Sequence, residues 1–137
     1  MTTQPTCKQR VRKHWNGRKA DFVAYMNDQE IYENVNDDLG PFGEYGLCFD
    51  YVVTGTFRDQ RKGFWRYQLS TGGPGDELRF YGDPQGIIYK VEYWFLDWFD
   101  GARINVTNQA CVRWLVEWFG DVGSFDHSYN EAIKRAA

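Results

Sequence analysis

The spacing of apolar residues changes along the chain from a helical period to a strand-like period and back. Over residues 21–35 apolar side chains recur at steps of three and four, which predicts an amphipathic helix. Between residues 47 and 98, blocks rich in aromatic and β-branched residues alternate with turns rich in Gly, Pro and Asp, which predicts strands. The four predicted strands cover residues 47–54, 64–70, 77–81 and 87–98.

The connections between the predicted strands are short, so neighbouring strands are expected to form antiparallel hairpins. After Asp100 and Gly101 the helical period returns. Thr107 is predicted to cap a helix that closes at Gly120, and Ser128 to cap a last short helix. The order of elements predicts an α+β domain with a four-stranded antiparallel meander, an N-terminal helix and two C-terminal helices.

The length of 137 residues and the aromatic content of 18% indicate one domain with a substantial core. Residues 1–20 contain few apolar side chains, and we interpret them as a basic N-terminal tail or loosely docked element. Residues 21–137 are predicted to form the single α+β domain. No apolar run approaches the roughly 18 residues of a transmembrane helix, and residues 1–20 lack the apolar stretch of a signal peptide.

Three widely spaced cysteines favour a reducing, intracellular environment, because a small secreted domain more often shows an even disulfide framework. Cys48 and Cys111 are predicted to be small core residues. Cys7, in the basic tail, is predicted to be exposed.

The charged residues are segregated. The formal net charge of −3 divides into +6 over residues 1–20 and −9 over residues 21–137. No Lys or Arg occurs between Lys19 and Arg58, whereas that segment holds eight carboxylates. Such a separation of charge creates a long-range electric field, which favours oppositely charged partners and raises the rate at which they associate with the protein. It disfavours direct binding of nucleic acid by the acidic part and favours a basic protein surface.

The acidic residues are predicted to form the partner-binding site. Glu30, Glu33 and Asp37 would share the helix face opposite the apolar face, with about 10 Å along the axis between the first and the last. A rigid array of carboxylates can imitate the phosphates of a DNA duplex. The complete predicted set is Asp28, Glu30, Glu33, Asp37, Asp38 and Glu44.

Two other functional sites are compatible with the sequence. Glu92, Asp97 and Asp100 suggest a small metal-dependent hydrolase or nuclease, although a strand-end turn uses Asp in the same way to bond backbone groups. His14 and His127 are isolated, so we predict no metal site and no cofactor. A basic hairpin tip is predicted to protect a sheet edge or, alternatively, to contact an acidic partner or a phosphate; it comprises Arg58, Arg61, Lys62 and Arg66.

The aromatic residues between Tyr89 and Phe119 are mostly explained as the core between sheet and helices. A stacking platform for nucleic-acid bases would need interleaved Lys or Arg, but this segment carries three basic residues against four acidic ones. The glycines at 72, 73 and 75 are interpreted as a tight turn, because a phosphate-binding loop would lead into a helix.

Residues 64–81 (FWRYQLSTGGPGDELRFY) and 92–102 (EYWFLDWFDGA) resemble small proteins carried by phages and plasmids. The LSTGG turn is similar to that of plasmid antirestriction proteins, and the whole chain resembles anti-CRISPR proteins that act on type I systems. With the acidic segment, the resemblance implies a non-enzymatic inhibitor in the bacterial cytoplasm. Its expected partner is the basic DNA-binding surface of a CRISPR effector protein, and we expect a monomer without direct contact to nucleic acid or membrane. A plain interaction module of a phage particle or plasmid transfer system is the alternative.

Overall fold

The computed structural model of the protein describes residues 5–34 and 38–136. Within these residues the chain forms four α-helices, five β-strands and a short 3-10 helix over Phe42–Glu44. The helices are α1 (Cys7–Asn27), α2 (Gln29–Glu33), α3 (Ala110–Asp121) and α4 (Ser124–Ala136). The strands are β1 (Cys48–Val52), β2 (Phe64–Ser70), β3 (Gly75–Gly82), β4 (Ile88–Asp97) and β5 (Asp100–Asn105).

The five strands form one antiparallel sheet in chain order, from β1 at one edge to β5 at the other. The predicted α+β class and antiparallel sheet are confirmed, whereas the predicted number of four strands is wrong. The fifth strand, β5, pairs with β4 and places Asp100 opposite Asp97. The sequence does not predict it, because Trp98 and Phe99 give no turn signal and Gly101 is a poor strand former.

Helices cover one face of the sheet. Trp65 on β2 packs against Phe125 of α4, and Tyr93 on β4 packs against Trp15 of α1. The cross-strand register from Tyr67 through Leu78 to Tyr93 puts these alternating side chains on the same face. The core therefore lies between the sheet and its helices, and it contains most of the aromatic residues that the sequence assigns to it.

The opposite face of the sheet is covered by paired charges rather than by a helix. The Arg79 guanidinium lies 3.8 Å from the ring centroid of Trp94 and 2.7 Å from a Glu77 carboxylate oxygen. Arg66, which the sequence assigns to a basic tip, lies instead within β2 and bonds Asp50 on β1 at 2.8 Å. The prediction of a four-residue basic tip is therefore wrong for Arg66, because its strand position places it beside a carboxylate.

Helix α1 contradicts the interpretation of residues 1–20 as a tail. Residues 7–20 belong to a helix that continues to Asn27 and packs on β4, β5 and α3. Cys7, Val11 and Trp15 recur at steps of four, and all three side chains are buried. The surrounding Lys and Arg residues obscure this narrow apolar strip in the sequence. The helix is therefore predicted with the wrong first residue, Asp21 instead of Cys7.

The first turn of α1 has strong local signals. The Thr6 side chain accepts a hydrogen bond from the Gln9 backbone, and the Gln9 side chain accepts one from the Thr6 backbone. This reciprocal arrangement is a capping box, which satisfies two backbone donors at the start of a helix.

The two C-terminal helices are confirmed, but their predicted caps are displaced. Gln109 precedes α3, whereas the Thr107 hydroxyl accepts from the Val91 backbone at 3.0 Å and donates to the Asn105 side chain. Thr107 therefore joins the end of β5 to β4 instead of capping a helix. Helix α4 begins at Ser124, four residues before the predicted cap Ser128, whose hydroxyl bonds back to the Ser124 carbonyl.

Two of the three cysteine predictions are wrong. Cys7 is buried because α1 packs on the sheet, and Cys48 is exposed at the start of the edge strand β1. Cys111 is buried in α3, as predicted, and all three thiols are free. In the part of the chain that the structure describes, no helix has the length and apolar content needed to cross a membrane.

We predict that Trp15→Ala lowers the free energy of unfolding by about 3–5 kcal/mol, the usual cost of removing a large buried aromatic side chain. The Trp15 side chain is 1% exposed, and its Nε1 donates to Gln109 at 3.1 Å. Urea denaturation measures the loss. Arg12→Ala, at an exposed position of the same helix, is the control and should change stability by less than about 0.5 kcal/mol. Equal stability of the two variants would show that α1 is not part of the core.

Candidate partner-binding surface

The helix predicted over residues 21–35 is divided at Asp28. Helix α1 ends there, and Asp28 has an extended backbone conformation. Its carboxylate accepts hydrogen bonds from the backbone N–H groups of Glu30 at 2.9 Å and Ile31 at 3.4 Å. Asp28 therefore caps α2, a role for which Asp is strongly preferred. The prediction of one continuous helix is wrong because this local cap competes with helix propagation.

The structure brings the described members of the predicted site to the region after α1. Glu30 and Glu33 lie on α2, Asp38 lies in a turn, and Glu44 ends the 3-10 helix; all are exposed. Asp37 lies outside the described residues, so the predicted stripe of Glu30, Glu33 and Asp37 is described only in part. We call the set Asp28, Glu30, Glu33, Asp38 and Glu44 the acidic surface.

Aromatic packing fixes the backbone that carries the acidic surface. Phe42, from the 3-10 helix, is buried against Tyr32 of α2 and Trp118 of α3. The Trp118 indole N–H donates to the Tyr32 hydroxyl at 2.7 Å. The Tyr25 hydroxyl of α1 lies 2.8 Å from the Gly40 carbonyl oxygen. Helix α2 and residues 40–42 are therefore held against α1 and α3.

The acidic surface carries uncompensated charge. All five carboxylates belong to exposed residues, and within residues 5–34 and 38–136 none has a Lys or Arg nitrogen within 4.0 Å. The ion pairs of the described residues use other carboxylates. These are Asp50, Asp76, Glu77, Glu92 and Asp97.

Helix α1 holds the complementary positive charge. Arg10 and Arg18 are paired with carboxylates of the sheet. The other four cations of the helix are exposed, and no described carboxylate lies within 4.0 Å of them; they are Lys8, Arg12, Lys13 and Lys19. The first turn contains no acidic residue and the last turn no basic one. This distribution is opposite to the one that the helix dipole favours.

The carboxylates of the alternative enzymatic site do not converge. Asp97 pairs with Arg10 at 2.7 Å, and Asp100 accepts from the Cys7 backbone at 2.8 Å. That bond from Cys7 lowers the pKa of Asp100. Glu92 lies on the other face of the sheet, where it contacts Arg103. Among the described residues, no three His, Cys, Asp or Glu side chains form a cluster that would hold a metal ion.

The turn between β4 and β5 presents two aromatic side chains to solvent. Trp98 is 85% exposed and Phe99 is 105% exposed, so neither belongs to the core that explains most of the aromatic segment. The bonds from Arg10 and Cys7 to Asp97 and Asp100 brace both sides of this turn.

A buried polar network centred on Asp76 positions helix α1. Asp76 is 5% exposed at the start of β3. Its two carboxylate oxygens accept hydrogen bonds from Arg18 Nε at 2.7 Å and Nη2 at 2.9 Å, and from the Tyr93 hydroxyl at 2.7 Å. The Ser70 hydroxyl donates to the same carboxylate. The sequence does not predict this network, because Asp76 follows a glycine-rich turn and an Asp at that position is typical of a turn residue.

The network determines the charge of its members. Burial alone would raise the pKa of Asp76, but the bonds from Arg18, Ser70 and Tyr93 outweigh burial and lower it. Burial and the bond to Asp76 raise the pKa of Tyr93. Asp76 is therefore a carboxylate at neutral pH, and Tyr93 is a neutral donor to it.

Comparisons of the chain with protein-family models, with curated proteins and with solved structures found no match. Asp28 caps α2 and Glu33 accepts a hydrogen bond from Gln29, but no described Lys or Arg pairs with the acidic surface. Asp97 and Glu92 of the enzymatic alternative are paired with Arg10 and Arg103.

We predict that Asp76→Asn lowers the free energy of unfolding by about 3 kcal/mol near neutral pH, because Arg18 loses its charged partner in a buried site. The pKa of Asp76 is below its ordinary value of 3.8 in the folded protein. Its stabilising contribution is therefore present above that value and is lost as the pH falls through the lowered folded pKa. Urea denaturation as a function of pH should show the two proteins converging in acid.

The matched control is Asp121→Asn, at an exposed position at the end of α3. It should change stability by less than about 0.5 kcal/mol. A stability difference between wild type and Asp76→Asn that stays constant down to strongly acidic pH would contradict the assigned ionisation of Asp76.

Proposed function

We propose that the chain is a non-enzymatic inhibitor of a host type I CRISPR-Cas effector complex. It binds a basic DNA-recognition surface of an effector protein through the acidic surface. Occupation of that surface blocks binding of target DNA. The inhibitor acts as a monomer in the cytoplasm of the bacterial host and uses no cofactor.

One observation carries this proposal: the described carboxylates of the acidic surface are exposed and have no cation within 4.0 Å among the described residues. Like charges held close together repel one another, and protein surfaces usually mix the two signs. A partner that supplies Lys or Arg would relieve the repulsion and form charge-assisted hydrogen bonds. The acidic surface is therefore suited to a basic protein.

The spacing of the carboxylates suits a protein surface that normally binds phosphates. Glu30 and Glu33 lie three residues apart on α2, which corresponds to a rise of about 4.5 Å along the helix axis. One DNA strand carries one charge for each 3.4 Å or so of duplex. Side chains that bind successive phosphates would therefore meet negative charge at a similar spacing.

The charges of α1 strengthen the field of the molecule at a cost to local stability. Cations occupy the positive end of its dipole, and Asp28 follows the negative end. The placement of the cations does not stabilise α1, which favours a functional reason for them, whereas the position of Asp28 is explained by its capping of α2. The resulting charge separation orients the molecule during encounter and accelerates association with a charged partner.

The choice of a type I CRISPR effector among basic partners rests on the resemblance of residues 64–81 and 92–102 to small phage- and plasmid-borne proteins, and of the whole chain to anti-CRISPR proteins that act on type I systems. The alternative is a plain interaction module of a phage particle or plasmid transfer system. The two differ in outcome, because an interaction module does not prevent an effector complex from binding its target DNA.

Simultaneous charge reversal of Glu30 and Glu33 to Lys should weaken inhibition of purified type I surveillance complexes by about ten-fold or more, because each change replaces attraction to a basic partner with repulsion. Binding of labelled target DNA to the complexes, measured against inhibitor concentration at several salt concentrations, provides the readout. Inhibition by the wild-type chain should weaken with salt, since the screening length is only about 10 Å at 0.1 M.

The control variant reverses Asp121 and Asp126, which are exposed residues of α3 and α4, and therefore has the same net charge. It should inhibit as the wild-type chain does. Full inhibition by the Glu30 and Glu33 variant would exclude the acidic surface as the contact. Binding of wild-type chain to the complexes without displacement of DNA would favour the interaction module.

A further inference from the structure

A cleft with a volume of about 540 Å³ lies between the edge strand β1 and helix α4. Helix α4 runs beside β1 in the same direction: Phe125 contacts Phe49, at a centroid distance of 5.5 Å, and Tyr129 contacts Tyr51 at 4.9 Å. These aromatic pairs join the two walls at the base of the cleft. The volume lies within the range of about 300–1,000 Å³ that is typical of binding sites.

The cleft is open to the backbone of β1 and not only to one row of its side chains. Five consecutive residues, 49–53, line it. Because successive side chains of a strand point to opposite faces of the sheet, a cavity above one face would be lined by every second residue. Contact with every residue therefore places the cleft along the free edge of the strand.

The free edge of β1 has hydrogen-bonding capacity that the described residues do not use. β1 pairs with β2 on one side and is the first strand of the sheet. On its other side, the Gln60 side chain reaches the Val52 carbonyl at 3.4 Å. No other described group outside the sheet bonds the backbone of residues 48–52. Unpaired N–H and C=O groups on an edge strand form a template for another extended chain.

The two walls have equal length. Residues 49–53 span about 13 Å at the usual rise of a strand. On α4, the lining residues run from His127 to Ala136, which corresponds to about 13.5 Å at the rise of a helix. The cleft therefore matches an extended segment of about five residues in length.

The charges of the cleft define the occupant further. Asp50 and Glu131 balance Arg66 and Arg135 in the lining, and Asp50 and Arg66 already form an ion pair. Arg135 is exposed, and no carboxylate of the described residues lies within 4.0 Å of it. The cleft thus favours a segment of low net charge that carries one carboxylate opposite Arg135.

We infer that the cleft between β1 and α4 binds an extended segment of a partner protein, which adds to the sheet as a sixth strand beside β1. Main-chain hydrogen bonds to the free edge would supply affinity, and alternate side chains facing Phe49, Tyr51 and Ala132 would supply specificity. Apolar residues at alternate positions and a carboxylate at the Arg135 end define the segment. The inference does not depend on the acidic surface, with which the cleft shares no residue.

The test uses the full chain and linear heptapeptides selected against it from a random phage-displayed library. Synthetic, fluorescently labelled copies of the selected peptides are then measured by anisotropy. Ala132→Trp fills the cleft from α4 and should weaken binding by about ten-fold or more, because the bulky side chain occupies the space of the added strand. Lys134→Trp places the same side chain at an exposed position of α4 outside the cleft and should leave affinity unchanged.

Two measurements on the wild-type chain test backbone pairing, even if Ala132→Trp fails to fold. Bound peptide should slow hydrogen exchange at alternate amides of residues 48–52, since one of every two faces the added strand. N-methylation of the peptide at one alternating set of residues should abolish binding, and N-methylation of the other set should have little effect. Arg135→Gln should weaken binding by about three-fold, the size expected for an exposed ion pair.

Selection of no peptide, equal binding to wild type and a folded Ala132→Trp variant, or unchanged amide exchange in the complex would each overturn the inference. Dimerisation of the wild-type chain in solution, with protection of the same amides and loss of the dimer in Ala132→Trp, would also overturn it. That result would assign the edge of β1 to a second copy of the chain.

Discussion

The buried carboxylate of Asp76 joins helix α1 to the centre of the sheet. Its hydrogen bonds reach Arg18 on α1, Ser70 at the end of β2 and Tyr93 on β4, so four elements meet at one side chain on β3. Arg18 also donates to the Tyr45 hydroxyl at 3.0 Å, which extends the network to the segment before β1. Because removal of one partner leaves a buried charge uncompensated, the position of α1 depends on this network.

The position of α1 in turn determines where both sets of charges lie. Three of its four unpaired cations lie in its N-terminal half, and its last residues lead into the acidic surface. Tyr25 near the end of α1 holds the loop through the Gly40 carbonyl, while Phe42 inserts between α2 and α3. The acidic surface is thus built from a short capped helix and a pinned loop, and its rigidity comes from aromatic packing rather than from helix length.

Local sequence signals predict the parts of the fold that local interactions determine. Alternating aromatic and β-branched residues indicate β2 and β4, and the apolar period around Leu115 indicates α3. The start of α1 is not predicted, because its buried strip is one residue wide and Lys and Arg surround it. The network of Asp76 is not predicted either, since Arg18 lies 58 residues away in the chain. The exposure of the carboxylates of the acidic surface is predicted from their polarity. The break of the helix at Asp28 is not predicted, because it depends on the hydrogen bonds by which Asp28 caps α2.

The acidic surface and the cleft beside β1 would act on different stages of binding. Unpaired carboxylates exert attraction over about a Debye length, so they mainly affect the rate of encounter and the choice of a basic partner. A strand added to β1 would form short-range backbone bonds that are weakly affected by salt, and such contacts mainly determine the rate of dissociation. A partner that presents both a basic surface and an extended segment would therefore associate rapidly and dissociate slowly, although neither surface alone provides both properties.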